Sequence, residues 1–350
     1  MSVHVIPYDT AQPGDTSELA RALGRFDPAG IRRLAVLAKT EGHADVNDYS
    51  REYGLLSTEL AIERLGGRGL VEKSTYLFST GCEGAMTPCG WLFADVDEPG
   101  ARPSPRGSAL AIGCARSRSL RPDEVGTPAH ADIAADTVRA GMKDAGVAPQ
   151  DVALVIVKTP VAVAGSRRIT SGHSKAVGAL GAGVALGEVD RAKIVQDAID
   201  ADHSLFARRA MVFSGSELDC VEIMLLANRR GAPGSFSVHT GFMRDVLDAQ
   251  ALRDLFTGAG LKLNERGEVA DPGRVAAMLV KAGAAPDGKV RGRRTTMKSS
   301  HIDMDKHVRA AVSGIVGSIL GDTRTFISAN TVHQAPPGGG LAACVVRHEA

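Results

Sequence analysis

The chain has 350 residues, of which 44% are hydrophobic, 23% are charged and only 4% are aromatic, and its formal net charge is +1. This composition is typical of a soluble globular protein with room for two or three domains. The balanced charge and the scarcity of aromatic rings argue against nucleic acid or an acidic membrane surface as a partner. The opening MSVHVIPYDT lacks the basic and apolar segments of a secretory signal, and no apolar run reaches the about 20 residues of a membrane-spanning helix.

The five cysteines are scattered along the chain and include no Cys-x-x-Cys pair. They are Cys82, Cys89, Cys114, Cys220 and Cys344. This pattern predicts neither a disulfide framework nor a zinc site. It favours a reducing cytoplasm, in which the cysteines are buried as small apolar side chains.

The first third of the chain predicts alternating strands and helices. Strand-like apolar runs are SVHVIPY, LAVLAKT, TYLFSTG and GWLFADV, and helical patterns cover residues 16–23 and NDYSREYGLLSTELAIERL. The second run carries Lys39 near its end, and the third carries Ser79. The longer helix has Arg51 in its first turns and Asn47 as its predicted N-cap.

The middle third repeats this order. Its apolar runs are ALAIGCA, LVIVKT, AMVFSGS and VEIMLLAN, and its helical patterns cover residues 131–145 and SKAVGALGAGVALGEV. Lys158 and Ser214 stand where Lys39 and Ser79 stand in the first third. The second helix contains the cation Lys175 and has Ser174 as its predicted N-cap.

The last third repeats the order once more. Its apolar runs are SFSVHTG, AAMLVKA, RTFISAN and LAACVVRH, and its helical patterns cover residues 249–257 and DMDKHVRAAVSGIVGSIL. The corresponding lysine and serine are Lys281 and Ser328. The cation is Arg309, and Asp303 is the predicted N-cap of its helix.

A lysine at the end of a buried strand is unusual, and one alone would indicate a strand that emerges into solvent. Here three occur at separations of 119 and 123 residues, each with the same neighbours, which indicates an internal repeat. The predicted fold class is α/β, with three pseudo-equivalent β-sheet-plus-helix domains around a pseudo-threefold axis. Pro- and Gly-rich segments at 100–107 and 230–235 mark the boundaries. The predicted units are residues 1–103, 104–232 and 233–350.

The repeated lysine, serine and cation predict nucleophilic chemistry. Serine becomes a nucleophile when a base removes its proton, and a lysine can be that base when burial and neighbouring positive charge lower its pKa. A shared cavity at the axis would collect six cations: Lys39, Lys158, Lys281, Arg51, Lys175 and Arg309. After Ser214, the small residues Gly215 and Ser216 leave backbone N–H groups free to hold an oxyanion. Together these groups predict acyl transfer at an amide carbonyl.

Competing motifs are weak. The sequence has no Gly-x-Ser-x-Gly elbow, no Ser-x-x-Lys and no phosphate-binding Gly-x-x-x-x-Gly-Lys. The glycines of GALGAGVALG resemble a dinucleotide loop in spacing, but their helical context favours close helix packing. His301, Asp303 and His307 could form a metal set, although a polar helix start is favoured. His333 and Gln334, which precede PPGGG, fit either a loop whose carbonyls hold a cation or a plain tight turn.

At this point the sequence resembles the ring-opening amidohydrolases, the family of cyanuric acid hydrolase and barbiturase. The stretches that carry the resemblance are LAKTEGHADVNDYSREY, FSTGCEG, VIVKT, ALGAGVALGE, FSGSELD, DGKVRGRRTTM, KHVRAAV and HQAPPGGG. They occur in all three repeats, so the resemblance covers nearly the whole chain. It implies three Ser–Lys pairs around the axis and hydrolysis of one C–N bond in a small cyclic imide.

The resemblance also implies roles for individual residues. It makes Ser214 the nucleophile and Lys158 its base, while Lys39 and Lys281 support them by hydrogen-bonding the ring and lowering the pKa of Lys158. The implied substrate contacts are Arg51, Ser79, Thr80, Lys175, Gly215, Arg309, Ser328 and Ala329. It implies a homotetramer, and no cofactor is required for the chemistry.

Several positions depart from the family pattern. Lys175 replaces the usual arginine of the second unit and cannot form a bidentate guanidinium clamp. Ala329 and Asn330 replace two glycines, and Val332 replaces a glutamate. Relatives often place an acidic metal ligand where this chain has Gly283, so we expect no metal ligand set, although the loop from 334 to 339 is where a structural divalent cation would lie. The stretch between Lys158 and Lys175 is also short.

The sequence therefore predicts a cytoplasmic Ser–Lys hydrolase that acts on a cyclic amide or imide. Because the second and third units are altered, we expect a less symmetric ring than cyanuric acid, such as a barbiturate-like imide. Two alternatives stay open. One is a binding protein on the same scaffold that has lost catalysis, and the other is an enzyme of the same fold that acts on an unfamiliar ring in a biosynthetic pathway.

Overall fold

The computed structural model describes residues 2–43, 47–104, 106–161 and 170–349. The first unit contains four strands and three helices: β1 (Ser2–Asp9), α1 (Ser17–Leu23), β2 (Ile31–Thr40), α2 (Ser50–Gly66), α3 (Arg68–Glu72), β3 (Ser74–Thr80) and β4 (Cys89–Val96). The second contains β5 (Ser108–Ser119), α4 (Pro128–Ala145), β6 (Val152–Pro160), α5 (Ser171–Ala185), β7 (Ala210–Gly215) and β8 (Cys220–Arg230).

The third unit has the same plan with a small ribbon added. It contains β9 (Phe236–Met243), α6 (Ala249–Gly258), β10 (Val275–Ala282), β11 (Lys289–Val290), β12 (Arg293–Arg294), α7 (Met304–Leu320), β13 (Phe326–Ala329) and β14 (Gly340–Arg347). A short 3₁₀ turn that begins with proline precedes the lysine-bearing strand of every unit, at Pro28–Gly30, Pro149–Asp151 and Pro272–Arg274. The sequence reading missed α3, the ribbon and these turns.

The three sheets have the same strand order. It is β1-β4-β2-β3 in the first unit, β5-β8-β6-β7 in the second and β9-β14-β10-β13 in the third. In each sheet the lysine-bearing and serine-bearing strands pair in parallel, and the other pairs are antiparallel. This confirms the predicted α/β fold of three pseudo-equivalent sheet-plus-helix domains. The exact unit boundaries stay predictions.

The inner faces of the three sheets pack into one shared core. Trp91 of the first unit, Phe213 of the second and Phe326 of the third all lie in it and are nearly fully buried. The ring centre of Phe326 lies 6.4 Å from that of Trp91 and 5.4 Å from that of Phe213. The outer face of each sheet packs separately on its own helices. The three four-stranded sheets therefore each direct one face into the core that the units share.

Two of the three predicted helix caps are wrong. Helix α2 follows Tyr49, not Asn47, and α5 follows Thr170, whose hydroxyl accepts from the His173 N–H at 3.2 Å. Ser174 lies inside α5 rather than at its start. Its buried hydroxyl does not cap the helix but donates to the Pro160 carbonyl at 2.6 Å. Asp303 is confirmed as the N-cap of α7, since its carboxylate accepts from the Asp305 N–H at 2.9 Å.

The glycines of α5 serve close packing, as expected. A Cβ on Gly181 would lie 2.3 Å from the Ala131 carbonyl oxygen of α4, and one on Gly178 would lie 2.5 Å from the Thr159 methyl group of β6. Helix α5 can therefore lie directly against both α4 and the second sheet. Residues 162–169, in the stretch between Lys158 and Lys175, lie outside the described residues.

The cysteines are all free thiols; Cys89, Cys220 and Cys344 are buried, while Cys82 and Cys114 are half-buried. The expected burial therefore holds fully for three of them. Among the helices that the structure describes, none is both long and apolar enough to cross a membrane.

Candidate active site

The carboxyl ends of the parallel strand pairs bring lysine and serine together in the first and third units. Lys39 on β2 is directly opposite Ser79 on β3, and Lys281 on β10 is directly opposite Ser328 on β13. Both lysines are almost completely buried, at 1% and 0% exposure. The two amino groups are therefore shielded from solvent.

The contacts of these two lysines match. Lys39 Nζ lies 3.1 Å from Ser79 Oγ and donates to the Thr80 carbonyl at 2.8 Å. Lys281 Nζ lies 2.9 Å from Ser328 Oγ and donates to the Ala329 carbonyl at 2.6 Å. Each of these lysines therefore contacts both its serine and the carbonyl of the residue after that serine.

The second unit differs because its strand register is shifted by one residue. Lys158 on β6 is opposite Phe213, and Ser214 on β7 is opposite Thr159. A shift of one residue turns a strand's side chains to the other face of the sheet. Accordingly, Phe213 lies in the shared core, whereas its counterpart Phe78 packs on the helices of the first unit.

Lys158 and Ser214 consequently have different partners. Lys158 Nζ donates to the Phe78 carbonyl at 2.6 Å and lies 2.5 Å from Oε1 of Glu217. Ser214 Oγ lies 2.7 Å from Ser171 Oγ and donates to the Ser171 carbonyl at 3.3 Å. Among the described residues no hydrogen bond joins Lys158 to Ser214, so the contact expected between them is not formed in this structure. Their assigned catalytic roles stay a prediction.

The helix cations reach across from one unit to another. Arg51 of the first unit donates from Nη1 to the Ser214 carbonyl at 3.2 Å, and its Nε lies 3.5 Å from Glu217. Arg309 of the third unit pairs with Glu83 of the first, with Nε 2.5 Å from Oε2 and Nη2 2.7 Å from Oε1. The serine regions of the first and second units are thus each contacted by a helix cation of another unit.

The third cation has no such partner. In the part of the chain that the structure describes, the side chain of Lys175 forms no hydrogen bond or ion pair. The third unit places Asn330 near the start of α5, with Nδ2 3.2 Å from the position that a Cβ on Gly172 would take. The sequence reading missed Glu83 and Glu217. A signal was present, because a glutamate follows Ser79 by four residues and Ser214 by three, while the residues after Ser328 are uncharged.

Burial controls the electrostatics of the lysines. It lowers the pKa of Lys39 to about 7, helped by Arg309, and lowers the pKa of Lys281 well below its ordinary value, helped by Lys175. Burial also lowers the pKa of Lys158 to about 8, although Glu217 acts in the opposite direction. The cation that lowers the Lys158 pKa most is Arg51, rather than the Lys39 and Lys281 that we expected.

Glu217 is held as a carboxylate at the centre of this cluster. Burial alone would raise its pKa, but Lys158 and Arg51 outweigh burial and lower it. The side chain folds back over Gly215, where a Cβ would lie 1.9 Å from Oε2. A Cβ at 215 would therefore displace the Glu217 carboxylate from the position in which it contacts Lys158.

The residues around Gly283 do not fit a divalent cation. A Cβ at 283 would lie 2.1 Å from Thr331 Oγ1, so the threonine fills the space in which an acidic side chain would begin. The Gln334 side chain is used elsewhere: Oε1 accepts from the Val212 N–H at 2.6 Å, and Nε2 donates to the Asn330 carbonyl at 3.2 Å. Within the described ranges, no group of three His, Cys, Asp or Glu side chains is placed to hold a metal ion.

Two of the histidines considered as ligands, His307 and His333, have structural partners. His307 Nε2 lies 2.7 Å from Ser300 Oγ at the start of α7. His333 donates from Nδ1 to the Leu205 carbonyl at 2.6 Å and accepts at Nε2 from the Asp200 N–H at 2.9 Å. The two His333 contacts attach the last loop of the third unit to the second unit.

Comparison with known proteins gives concordant results. A family model described as amidohydrolase ring-opening protein matches residues 2–347. The chain is 33% identical over 369 residues to a cyclic amide hydrolase of Azorhizobium caulinodans, covering 99% of this chain and 100% of that protein. It is 31% identical over 354 residues to barbiturase 1 of Nocardioides sp., covering 95% of each chain. The crystal structure of a cyanuric acid hydrolase from A. caulinodans matches with a TM-score of 0.87 at 31% identity, covering 100% of this chain and 99% of that chain.

Proposed function

The chain belongs to the family of ring-opening amidohydrolases, and on this basis we propose that it hydrolyses one C–N bond of a small cyclic amide or imide. The observation that carries the proposal is the set of three buried lysines at the ends of parallel strands, each with a serine on the neighbouring strand. Buried amines with lowered pKa are suited to remove a proton from a hydroxyl group.

In the proposed reaction, Ser214 is the nucleophile and Lys158 the base. Neutral Lys158 takes the Ser214 proton while Oγ bonds to a ring carbonyl carbon. The C–N bond then breaks, the ring nitrogen receives the proton from Lys158, and an ester to Ser214 remains. Water, deprotonated by Lys158, attacks that ester, so that a carboxylate leaves and the Ser214 hydroxyl is regenerated.

We place the chemistry in the second unit because it is the set that differs. The reaction breaks one bond, so three equivalent sets cannot all have the same role. Ser79 and Ser328 are each bonded to their lysine in the same way, which suits two sets that hold ring carbonyls. Ser214 is free of its lysine and has Arg51 on its own carbonyl.

This assignment requires two movements as substrate enters: Ser214 Oγ, which the register shift turns to the other face of the sheet, must come within reach of Lys158 Nζ, and Lys158 must leave its present partner. Its partner in the structure is Glu217, which also lies 3.5 Å from Arg51 and so retains a cation when Lys158 turns away. A competing assignment is supported by geometry, since Lys39 already lies 3.1 Å from Ser79. The experiment below separates the two.

We propose that the ring is less symmetric than cyanuric acid. Two cations at the axis are guanidinium groups paired with a glutamate, Arg51 with Glu217 and Arg309 with Glu83. The third is the ammonium of Lys175, which cannot offer two parallel N–H donors. A ring with three identical edges would meet two similar cations and one different cation, which does not match its symmetry. A barbiturate-like imide has one edge unlike the other two, and so matches this set of cations better.

The remaining substrate contacts follow from position. Thr80 and Ala329 present carbonyls to Lys39 and Lys281, which fixes the strand ends that carry Ser79 and Ser328. We further propose that no metal takes part, since Thr331 occupies the space beside Gly283. A homotetramer and a cytoplasmic location complete the proposal.

The experiment measures ring opening of cyanuric acid, barbituric acid and other cyclic imides by purified variants. Ser214→Ala and Lys158→Ala should each lower turnover more than about a thousandfold while the thermal midpoint stays near that of the unchanged protein. Ser318→Ala, which removes an exposed serine from α7, is the matched control. An inactive Ser79→Ala with an active Ser214→Ala would move the reaction to the first unit.

A second candidate function is ligand binding without catalysis. It is favoured by one observation, that Lys158 is bonded to Glu217 rather than to Ser214. Binding of a cyclic imide with no turnover in any variant, and no covalent adduct with a serine-directed electrophile, would establish it.

A further inference from the structure

A second hydroxyl group lies against the proposed nucleophile. Ser171 is the first residue of α5, and its Oγ lies 2.7 Å from Ser214 Oγ. Ser214 Oγ also contacts the Ser171 carbonyl, at 3.3 Å. Resting on the proposed function, we propose that Ser171 is a positioning residue that holds Ser214 Oγ and donates a hydrogen bond to it during attack.

The direction of the short hydrogen bond follows from counting protons. A hydroxyl has one proton to donate and two lone pairs to accept with. Either hydroxyl could donate in the 2.7 Å contact, whereas the Ser171 carbonyl, 3.3 Å from Ser214 Oγ, can only accept; we therefore assign the Ser214 proton to that carbonyl and the proton of the 2.7 Å contact to Ser171. When the base removes the Ser214 proton, the bond from Ser171 remains and then stabilises an alkoxide, which is a stronger acceptor than a hydroxyl.

Within the ranges that the structure describes, this arrangement is found in the second unit alone. Ser171 precedes the helix cation Lys175 by four residues, and the residues four before Arg51 and Arg309 are Asn47 and Asp305, neither of which has a hydroxyl. The second unit is also the one in which the serine is not bonded to its lysine. The register shift thus turns Ser214 away from one partner and places it beside another.

The position of Ser171 is suitable for this role. The residue is exposed, so its side chain contributes little to the core, while Ser214 is 7% exposed. The next serine of the same helix, Ser174, provides a contrast. It is fully buried and its hydroxyl contacts Thr159 at 2.9 Å and Pro160 at 2.6 Å, with no contact to Ser214.

The test uses a fluorophosphonate, in which serine forms a bond to phosphorus and fluoride leaves. The labelled residue is identified by mass spectrometry of the full chain, and the labelling rate is measured for Ser171→Ala, Ser171→Thr and Ser174→Ala. Ser171→Ala should label Ser214 about tenfold more slowly, lower kcat about tenfold and leave KM unchanged. Ser171→Thr should restore both rates, and Ser174→Ala should lower the thermal midpoint without changing the labelling rate.

The possible failures are distinct. Labelling of Ser214 in Ser171→Ala at the original rate or faster would overturn the role of Ser171 and leave the proposed function intact. A Ser171→Thr variant as slow as Ser171→Ala would show that shape rather than the hydroxyl matters, and would also overturn it. A label on Ser79 or Ser328 would overturn the choice of nucleophile, and this inference with it.

Discussion

Replacing Glu217 by glutamine tests the proposed base through its charge. Glu217 Oε1 lies 2.5 Å from Lys158 Nζ, and the two side chains are only 6% and 2% exposed. Burial lowers the pKa of Lys158 to about 8, and the Glu217 carboxylate opposes that change. At pH 7, a pKa of about 8 leaves roughly a tenth of Lys158 neutral and able to accept a proton.

Glutamine keeps the size of the side chain and an oxygen acceptor but removes the negative charge. Without that charge the pKa of Lys158 falls further, and Arg51, now unpaired, acts in the same direction. The neutral form then dominates at a lower pH. Because only about a tenth is neutral at first, kcat/KM at pH 7 can rise by at most about tenfold. Above pH 9 the gain should disappear, since Lys158 is neutral in both proteins.

The assay is kcat/KM for ring opening between pH 5.5 and 10, which reports the groups of the free enzyme. The rising limb should move to lower pH in Glu217→Gln. Glu188→Gln is the control, because Glu188 is also ion-paired in the second unit, with Arg209, but lies outside the Ser–Lys sets. A limb that stays in place or moves to higher pH, in a protein with its normal thermal midpoint, would refute Lys158 as the base.

Three further predictions follow from the same cluster. Lys175→Arg should restore a bidentate donor and raise the ratio of kcat/KM for cyanuric acid to kcat/KM for barbituric acid by about tenfold. An unchanged ratio would exclude Lys175 as the contact that selects between the two rings. Chelation with EDTA should change neither activity nor thermal midpoint, because Thr331 fills the space beside Gly283; stoichiometric divalent metal by elemental analysis would contradict this. Lys39→Met should stabilise the protein most at pH 6 and progressively less toward pH 9, as read from urea unfolding. The reason is that the folded-state pKa of Lys39, about 7, lies below its unfolded value, so that between these two values the unfolded chain binds one more proton than the folded chain. A difference in free energy of unfolding between variant and unchanged protein that widens with pH would contradict this prediction.

The repeated order of strands and helices could be predicted from the sequence because the same apolar runs occur three times. The helix starts were less predictable, since a serine in a helical pattern can cap the backbone or bond elsewhere. Ser174 illustrates this, because its hydroxyl is used by Pro160 and Thr159 across the helix–sheet contact. Such a partner is distant in sequence and leaves no local pattern.

The three lysines, serines and helix cations could also be predicted as a set, because their residue types and order are repeated. Glu83 and Glu217 were missed, since a lone glutamate after a strand is typically solvated. Only the fold shows that each faces an arginine from a different unit. The charge balance of the site is therefore a property of the packing between units.

The register of the second unit could not be predicted at all, and it decides what its serine can do. Alternation of polar and apolar residues fixes a strand's register, but VIVKT and MVFSG are buried on both faces and do not alternate. Either register buries equally apolar side chains, so the difference in folding free energy between the two registers comes from the residues at the ends of the strands. Here Phe213 enters the shared core beside Phe326, and Ser214 is turned to the hydroxyl of Ser171. A repeat that keeps its residue types can thus separate one serine from its two counterparts by a shift of one residue, without any change of chemical group.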